Sequence, residues 1–368
     1  MGDFRLIPVA RPLGSCQRHG PAILAAINRV LDSGTYILGA EVGALEHEFA
    51  AWAGTAHCCG VASGTDALSL ALVCVGIRPG DEVITVSHTS VATVVAIERV
   101  GAIPVFVDID PRTRCIDPQR VEDALSPATR ALLPVHLYGQ PAPMLELMDI
   151  AARHRLVVVE DCAQAHGAAI GQRHVGTFGH AAAFSFYPTK NLGGMGDGGA
   201  VLTASGRIDT LTRKIRQYGW GERRCAEIPG FNSRLDEIQA AVLRVKLPFL
   251  EADNERRRSI AAAYTAALHD GRIRPPAGVA GTTHAMHLYV VETDAPQELG
   301  CHLARRGIAT GLHYALPVHL QPAYVNRVRG CDSLPDTEQL CKRIVTLPMF
   351  PELTDDEVLR ICDALRDF

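Results

Sequence analysis

Lys190 is the side chain whose sequence neighbourhood most strongly suggests chemistry. It follows the apolar residues 184–186 and precedes Gly193 and Gly194, so it lies in a turn just past a predicted strand. A lysine in such a place can be partly desolvated, which lowers the pKa of its amine. Because only the neutral amine attacks an aldehyde, Lys190 is a candidate for forming a Schiff base. A lone lysine is usually a solvated surface residue, so this role requires supporting groups.

Asp161 could supply the first of these groups. Asp161 ends the apolar run 156–160, and open α/β sheets bind ligands at the carboxyl ends of their strands. A carboxylate there could keep a pyridine nitrogen protonated, so that the ring accepts electrons. A structural carboxylate that caps the next turn is the alternative.

Residues 63–66 (SGTD) and Ser185 could bind a phosphate. The first segment opens a predicted helix, whose free backbone N–H groups and positive dipole end suit an anion. The Thr65 hydroxyl and Ser185 could complete the site, although Ser63 or Thr65 could also simply cap the helix. Partners for an aldehyde, a pyridine nitrogen and a phosphate together predict pyridoxal 5'-phosphate as the cofactor.

A rival motif lies beside Lys190. Residues 194–199 (GMGDGG) match the G-x-G-x-x-G pattern of dinucleotide-binding proteins. That pattern should follow a strand and open a helix, whereas here it precedes the strand-like residues 200–203. The segment is better explained as a turn, and a nicotinamide enzyme is disfavoured.

The elements that would position these residues alternate between helices and short apolar strands. Helices are predicted at residues 21–31, 41–52, 67–75, 91–100, 118–125, 143–154, 298–306 and 355–367. Strands are predicted at residues 82–86, 104–107, 131–135, 156–160, 182–186, 199–203 and 287–292. Apolar strands between helices of this length indicate an α/β fold with a mostly parallel central sheet covered by helices on both faces.

Two domains are predicted. The large cofactor-binding domain covers residues 1–249, and a smaller C-terminal α+β domain covers residues 250–368. A long helix that begins near Ser233, with a kink at Pro248, crosses the boundary, so the division is not sharp.

Composition excludes several classes of protein. The 368 residues are 47% hydrophobic and 21% charged, with a net charge of -4, which argues against a general nucleic-acid binder. Eleven cysteines show no disulfide framework, and His57, Cys58 and Cys59 have no second pair at zinc-ligand spacing, so no metal is predicted. With no secretory signal and no apolar run of membrane-span length, we expect a cytoplasmic protein without membrane or nucleic-acid partners.

Six segments together resemble one family. Residues 63–68, 160–167, 184–192, 232–241, 307–314 and 347–351 resemble the DegT/DnrJ/EryC1/StrS family of sugar aminotransferases, in order, from about Tyr36 to the C-terminus. The resemblance implies a fold-type I, pyridoxal phosphate-dependent enzyme that works as a homodimer, with active sites shared at the subunit interface.

The same resemblance implies a role for each site residue. By position, these are Lys190 for the Schiff base, Asp161 for the pyridinium nitrogen, Gln164 for the phenolic oxygen, Gly64, Thr65 and Ser185 for the phosphate, and Asn232 for the phosphate of the neighbouring subunit. Relatives with histidine at the lysine position are sugar dehydratases, so Lys190 favours transamination.

One position departs from the family pattern. Relatives place an aromatic residue in segment 87–93, where it stacks on the cofactor ring, and the matching residue here is Ser90. Either His88 stacks on the ring or the ring face is more open than usual. A buried core histidine is the alternative for His88.

The resemblance also predicts the substrates, a nucleotide-linked keto-deoxysugar and an amino-acid donor, with glutamate favoured. Segments 216–220 and 313–321 are most similar to members that aminate the 3-keto position. The candidate sugar contacts are His88, Tyr218, His313, Tyr314 and His319, and Arg223 and Arg224 are candidates for the diphosphate. A cyclitol (inosose) aminotransferase and a non-catalytic, cofactor-binding regulator of the same fold remain alternatives.

Overall fold

The fold is described from a computed structural model, which describes residues 6–268, 271–325, 327–330 and 333–368. Over these residues the α-helices are α1 (Pro12–Arg18), α2 (Gly20–Ser33), α3 (Ala40–Ala53), α4 (Gly64–Cys74), α5 (Val91–Arg99), α6 (Pro118–Val121), α7 (Met144–His154), α8 (Gly206–Ile215), α9 (Glu237–Lys246), α10 (Leu250–Ala267), α11 (Pro296–Arg305), α12 (Pro335–Cys341) and α13 (Asp355–Arg366). Within this part of the chain, no helix is both long enough and apolar enough to span a membrane.

The strands of the same residues are β1 (His57–Val61), β2 (Glu82–Val86), β3 (Ile103–Val107), β4 (Thr129–Leu132), β5 (Val157–Asp161), β6 (Ala169–Ile170), β7 (Arg173–His174), β8 (Ala181–Ser185), β9 (Gly199–Thr203), β10 (Ile273–Arg274), β11 (Thr282–Thr283), β12 (Tyr289–Thr293) and β13 (Ile344–Leu347). Seven of them form the central sheet in the order β1-β9-β8-β5-β4-β2-β3. Strand β9 is antiparallel to both of its neighbours, and the other pairs are parallel. The prediction of a mostly parallel sheet is confirmed.

Apolar side chains fill the space on both faces of this sheet. Strands β2 and β8 are buried along their whole length, which explains why most of their residues are apolar. One core includes Leu70 of α4, Val83 and Val158, and a second core includes Phe49 of α3 and Leu243 of α9. The sheet is therefore covered by helices on either side, as predicted.

A smaller unit follows in the chain. Strands β10, β12 and β13 form an antiparallel sheet that shares a core with α10, α11 and α13. Ile7 also lies in this core, and it pairs with Ile308 in a parallel bridge. The C-terminal unit thus includes a residue from the start of the chain. The division at residues 249 and 250 stays a prediction.

The observed elements differ from the sequence predictions in several places. The long helix begins at Glu237 instead of Ser233, and a 3-10 turn at Leu247–Phe249, which contains Pro248, separates α9 from α10. The predicted helix 118–125 is α6 followed by a 3-10 turn at Glu122–Ala124. Helices α1, α8 and α12 and strands β1, β6, β7, β10, β11 and β13 were not predicted.

Candidate active site

Four strands of the central sheet end at one edge and bring the predicted segments together. Residues after β1, β2, β5 and β8 line a single cavity of about 450 Å³. Nine of the predicted site residues line it, namely Gly64, Thr65, Ser90, Asp161, Gln164, Ser185, Lys190, His313 and Tyr314. This arrangement follows from parallel strands, whose carboxyl ends share one edge of the sheet.

The turn at the start of α4 forms one wall of the cavity. Ser63 caps the helix, because its hydroxyl accepts a hydrogen bond from the Asp66 N–H at 3.1 Å. A Cβ atom at Gly64 would lie 2.7 Å from the Cβ of Ser185, so only glycine allows the two strand ends to approach so closely. The helix N-terminus and the Ser185 hydroxyl therefore border the same space, where an anion would be stabilised.

Asp161 is a buried carboxylate at the end of β5. Its Oδ2 accepts a hydrogen bond from the Thr93 hydroxyl at 2.8 Å, and its Oδ1 accepts one from the Ala163 N–H at 3.1 Å. Burial raises the pKa of Asp161 above its ordinary value, although both hydrogen bonds and the charge of Lys190 act in the opposite direction. The carboxylate therefore lies in a setting where a nearby cation would be strongly favoured.

Lys190 lies in the turn after β8, where its backbone N–H donates to the Tyr187 carbonyl at 2.8 Å. Burial lowers the pKa of Lys190 to about 8, while the Asp161 carboxylate acts to raise it. A larger share of its amine is therefore neutral near physiological pH than for a solvated lysine, which suits attack on an aldehyde.

Gln164 is held in one orientation. Its Oε1 accepts a hydrogen bond from the Tyr138 N–H at 2.7 Å, and its Nε2 donates to the Tyr314 hydroxyl oxygen at 3.1 Å. Since a backbone N–H can only donate, the amide cannot be flipped. Gln164 and Tyr314 thus present an ordered polar wall to the cavity.

Ser90 and His88 have different environments. Ser90 caps α5 and lines the cavity, whereas the ring of His88 is fully buried outside it. The His88 Nε2 lies 2.7 Å from the Tyr138 hydroxyl oxygen, and its Nδ1 lies 3.3 Å from the Cys341 Sγ. Burial lowers the pKa of His88 to about 3. The structure thus places His88 as a core histidine and not on the cavity wall, so the predicted stacking and sugar contacts of His88 do not match its position.

Five further predicted residues lie outside the cavity of this chain, namely Tyr218, Arg223, Arg224, Asn232 and His319. His319 is buried, with its Nδ1 2.7 Å from the Ser87 hydroxyl oxygen. Tyr218 is 39% exposed and packs against Trp220, and Asn232 is exposed, with its backbone bridged to Gln217. The predicted sugar contacts of Tyr218 and His319 therefore lack support from their positions in one chain.

The sequence did not point to several residues that the structure brings to the site. His287 lines the cavity, and Asn191 and Thr93 hold His287 and Asp161, respectively. Asn191 could have been noticed because it follows Lys190 directly. Val9 reaches the cavity from near the chain start, and no sequence signal indicated this.

A second buried cluster, His136, Glu160 and Cys162, has potential ligand atoms within 4.8 Å of one another. The Glu160 oxygens already accept hydrogen bonds from the N–H groups of Gly176, Phe178 and Gly179. His136 is the fourth partner of this carboxylate. The cluster is explained as a structural anchor.

Known proteins resemble this chain over nearly its whole length. The profile of the DegT/DnrJ/EryC1/StrS aminotransferase family matches residues 17–366. A Streptomyces venezuelae protein named dTDP-3-amino-3,4,6-trideoxy-alpha-D-glucose transaminase is 48% identical over 345 residues, which cover 94% of this chain and 91% of that protein. A Geobacillus stearothermophilus protein named pleiotropic regulatory protein is 43% identical over 351 residues, which cover 95% of this chain and 94% of that protein.

The fold agrees with these similarities. The crystal structure of S. venezuelae DesV, solved in complex with a ketimine intermediate, has a TM-score of 0.96 and 46% sequence identity, and the match covers 99% of this chain and 98% of that one. Two other similar solved structures are NtdA from Bacillus subtilis with bound cofactor PMP and the putative sugar aminotransferase Spr1654 from Streptococcus pneumoniae in its PLP form. The resemblance seen in the sequence is confirmed, and the chain belongs to the DegT/DnrJ/EryC1/StrS aminotransferase family.

Proposed function

We propose that this chain is a pyridoxal phosphate-dependent enzyme that transfers an amino group to the 3-keto position of a nucleotide-linked deoxysugar, with glutamate as the donor. The observation that carries this proposal is the pairing of a desolvated Lys190 with the buried Asp161 in one cavity. Relatives without this lysine could bind the cofactor, but they could not form the covalent link.

The residues present fit the cofactor at three points. The start of α4, with Gly64, Thr65 and Ser185, would hold its phosphate, since Gly64 lets Ser185 approach the helix N-terminus closely. Asp161 would pair with the ring nitrogen, and Lys190 would bind the aldehyde carbon. When bound, the cofactor supplies a ring that accepts the electrons released at the carbon bearing the amine.

Side chains of the protein would transfer and hold the protons of the reaction. The Lys190 Nζ, with its pKa lowered to about 8, can accept the proton that leaves the α-carbon of the donor and can later return it as an acid. With the cofactor bound, Asp161 would be ionised and would keep the ring nitrogen protonated. Gln164 can donate a hydrogen bond toward an oxygen at the ring edge.

The choice of substrate rests on the relatives. The name of the S. venezuelae relative refers to a 3-amino sugar linked to dTDP, which supports amination of C3. The regulatory name of the G. stearothermophilus relative supports the alternative of a cofactor-binding regulator. A cyclitol substrate stays a second alternative. Turnover with a nucleotide-linked 3-ketosugar would favour the sugar aminotransferase over the regulator and the cyclitol aminotransferase.

We also propose that the active site is shared between two subunits. The described residues that line the cavity include one lysine, two aspartates and no arginine. A cofactor phosphate and a nucleotide diphosphate carry more negative charge than one lysine can balance. The exposed segment with Asn232, Arg223 and Arg224 lies outside the cavity of its own chain and could supply cations and donors to a neighbour's cavity.

A trapping experiment tests the function. Borohydride should attach the cofactor irreversibly to the peptide that contains Lys190, and Lys190→Ala should abolish both the trapping and transamination. Glutamate should be converted to its keto acid in amounts that match the ketosugar supplied. Lys342→Ala, which changes a lysine outside the cavity, is the matched control and should keep full activity. Intact transamination by Lys190→Ala would refute the proposed role.

A further inference from the structure

Tyr138 is a buried residue that forms hydrogen bonds with three parts of the active-site wall. It is 4% exposed and does not itself line the cavity. Its backbone N–H donates to the Oε1 of Gln164 at 2.7 Å, and its carbonyl accepts from the His287 N–H at 3.0 Å. Its hydroxyl donates to the His313 carbonyl. Since Gln164, His287 and His313 all line the cavity, one residue behind the wall holds three parts of it.

The backbone at Tyr138 has a conformation that a residue with a Cβ atom rarely adopts. Its φ is 60° and its ψ is 2°, in the left-handed region. The next residue, Gly139, has a φ of 97°, and a Cβ atom there would lie 3.0 Å from the Ala285 Cβ and 3.1 Å from the Gln164 carbonyl oxygen. The chain thus passes tightly between Gln164 and the segment before β12. Such a conformation persists where the surrounding contacts fix it, as the hydrogen bonds of Tyr138 do.

The hydrogen bonds also determine the direction of the Tyr138 hydroxyl. A carbonyl can only accept, so the hydroxyl proton points to the His313 carbonyl, and the oxygen is left to accept. The His88 Nε2, 2.7 Å away, therefore donates to that oxygen, and the His88 Nδ1 accepts from the Cys341 Sγ at 3.3 Å. Burial raises the pKa of Tyr138 well above its ordinary value and lowers the pKa of His88 to about 3, so both groups are neutral. His88 thus orients the hydroxyl that holds the wall.

The segment that this hydroxyl holds contacts both the central and the C-terminal sheet. The His313 Nδ1 lies 2.9 Å from the Thr346 Oγ1 of β13. The next residue, Tyr314, lines the cavity, and its hydroxyl oxygen accepts a hydrogen bond from the Gln164 Nε2 at 3.1 Å. Tyr138 therefore fixes both partners of the pair formed by Gln164 and Tyr314, one through its backbone and the other through its side chain.

We propose that Tyr138 is a positioning residue, whose hydroxyl holds the segment 313–314 against Gln164 and so sets the shape of the cavity wall for the ketosugar. This inference rests on the proposed function, because the ketosugar is the substrate proposed above for this cavity. Lys190 and Asp161 are held by other contacts. Loss of the Tyr138 hydroxyl should therefore raise the KM for the ketosugar more than it lowers kcat.

Tyr138→Phe tests the proposal, because it removes the hydroxyl at nearly constant volume and keeps the backbone bonds to Gln164 and His287. Crystal structures of the variant and of the natural holoenzyme should show the loss of the hydrogen bond between the Gln164 Nε2 and the Tyr314 hydroxyl. Their separation, 3.1 Å in this structure, should exceed about 3.5 Å in the variant. The KM for the ketosugar should rise about tenfold, the factor that corresponds to one buried hydrogen bond.

Tyr264→Phe is the matched control. Tyr264 is fully buried, and its hydroxyl donates to the Pro348 carbonyl at 3.0 Å, outside the cavity. Both variants lose one buried hydrogen bond from a tyrosine hydroxyl to a carbonyl, so their stabilities should fall by similar amounts. Tyr264→Phe should keep the bond between Gln164 and Tyr314 and the natural KM for the ketosugar.

A double variant separates positioning from a purely structural role. Tyr138→Phe leaves the His88 Nε2 proton without an acceptor, whereas His88→Leu combined with Tyr138→Phe removes this buried donor as well and should recover part of the stability. Positioning predicts that the KM and the separation of Gln164 and Tyr314 stay raised, because the His313 carbonyl still lacks its donor. A purely structural role predicts that both recover together with the midpoint of urea denaturation. If the single variant does not fold, the double variant provides the same test.

The outcomes are distinct from those of the proposed function. An unchanged separation of Gln164 and Tyr314 in the variants overturns this inference, and so does an equal rise in KM in Tyr264→Phe. A longer separation together with a raised KM in the Tyr138 variants alone supports it. The separation is measured without turnover, whereas the proposed function is tested by trapping at Lys190 and by conversion of the ketosugar.

Discussion

Two neighbouring carboxylates at the end of β5 differ in how completely they are hydrogen-bonded and in whether they face the cavity. Glu160 is fully buried, and its oxygens accept hydrogen bonds from three backbone N–H groups and from the Nε2 of His136 at 3.0 Å. Asp161 is also buried, but it has two partners, Thr93 and the Ala163 N–H, and it faces the cavity. Successive side chains of a strand point to opposite faces, so one residue becomes a structural anchor and the next becomes part of the site.

The number of hydrogen bonds explains which carboxylate can do chemistry. The His136 Nδ1 accepts a hydrogen bond from the Ala142 N–H at 2.9 Å, so its Nε2 carries the proton donated to Glu160. Glu160 is thus saturated, and it has no capacity for a ligand. Asp161 accepts fewer hydrogen bonds than Glu160, and burial raises its pKa. A cation placed beside Asp161 would therefore strongly stabilise its ionised form. A functional carboxylate is one that the fold leaves incompletely satisfied.

The largest loss of stability is expected from removing the Glu160 carboxylate. Glu160→Ala would leave three buried N–H groups and His136 without partners, so the free energy of unfolding should fall by about 3–5 kcal/mol. Urea denaturation of the full chain would measure this loss. Glu122→Ala, which removes an exposed ion pair with Arg153, is the control and should lower the free energy of unfolding far less, because water screens exposed charges. Equal losses in the two variants would contradict the assignment of Glu160 as an anchor.

Asp161→Asn should give the opposite pattern, with activity lost and stability kept. Because burial raises the pKa of Asp161, the folded chain binds this proton more tightly than the unfolded chain does. Ionised Asp161 therefore lowers stability as pH rises through the folded pKa, and a neutral amide removes that cost. The free energy of unfolding at pH 7 should not fall, whereas kcat/KM should drop about 100-fold or more, since a buried charge pair is worth about 3 kcal/mol.

A second buried aspartate provides the control for that comparison. Asp108 accepts hydrogen bonds from the Asp336 and Thr337 N–H groups at 2.9 Å, at the start of α12 and outside the cavity. Asp108→Asn should lower the free energy of unfolding by about 1 kcal/mol and keep the activity of the folded protein. If Asp161→Asn instead resembled Asp108→Asn, Asp161 would be structural and not functional.

The sequence predicted six of the seven strands of the central sheet, because strands that are buried on both faces are mostly apolar. Strands 82–86 and 199–203 were located to the residue, whereas β1 was not predicted. The antiparallel direction of β9 was not predicted, because the direction of a strand depends on its partners and not on its own residues. Helix α8 was missed because its polar face dominates its composition, and only Ile208, Thr212 and Ile215 are buried.

The site was predictable where residues follow strand ends in the chain. Asp161, Ser185 and Lys190 have that position, and the structure brings them to one cavity. His287 and Thr93 were not identified, since their roles depend on contacts across 96 and 68 residues of the chain. His88 shows the converse, because a histidine beside a cavity-lining segment can still be turned into the core. Proximity in sequence does not fix the direction in which a side chain points.

The smallest effect in the comparison should come from Thr93, which donates to Asp161 but does not line the cavity. Thr93 is fully buried, and its hydroxyl favours the ionised form of Asp161, so Thr93→Val should raise the pKa of this carboxyl further. Activity requires the carboxylate, and protonation removes it as pH falls. The acid side of the kcat/KM profile should therefore move to higher pH, while activity at high pH stays near that of the natural protein.

Thr212→Val is the matched control for this shift. Thr212 is equally buried, but its hydroxyl donates to the Ile208 carbonyl within α8, away from the cavity. Both variants remove one buried hydroxyl at nearly constant volume, so any common loss of stability cancels in the comparison. A shift of the acid limb in Thr93→Val alone would show that Asp161 is tuned by its one side-chain donor. Identical profiles in both variants would mean that the ionisation of Asp161 does not limit the reaction, and the distinction between the anchored and the incompletely satisfied carboxylate would lose its functional meaning.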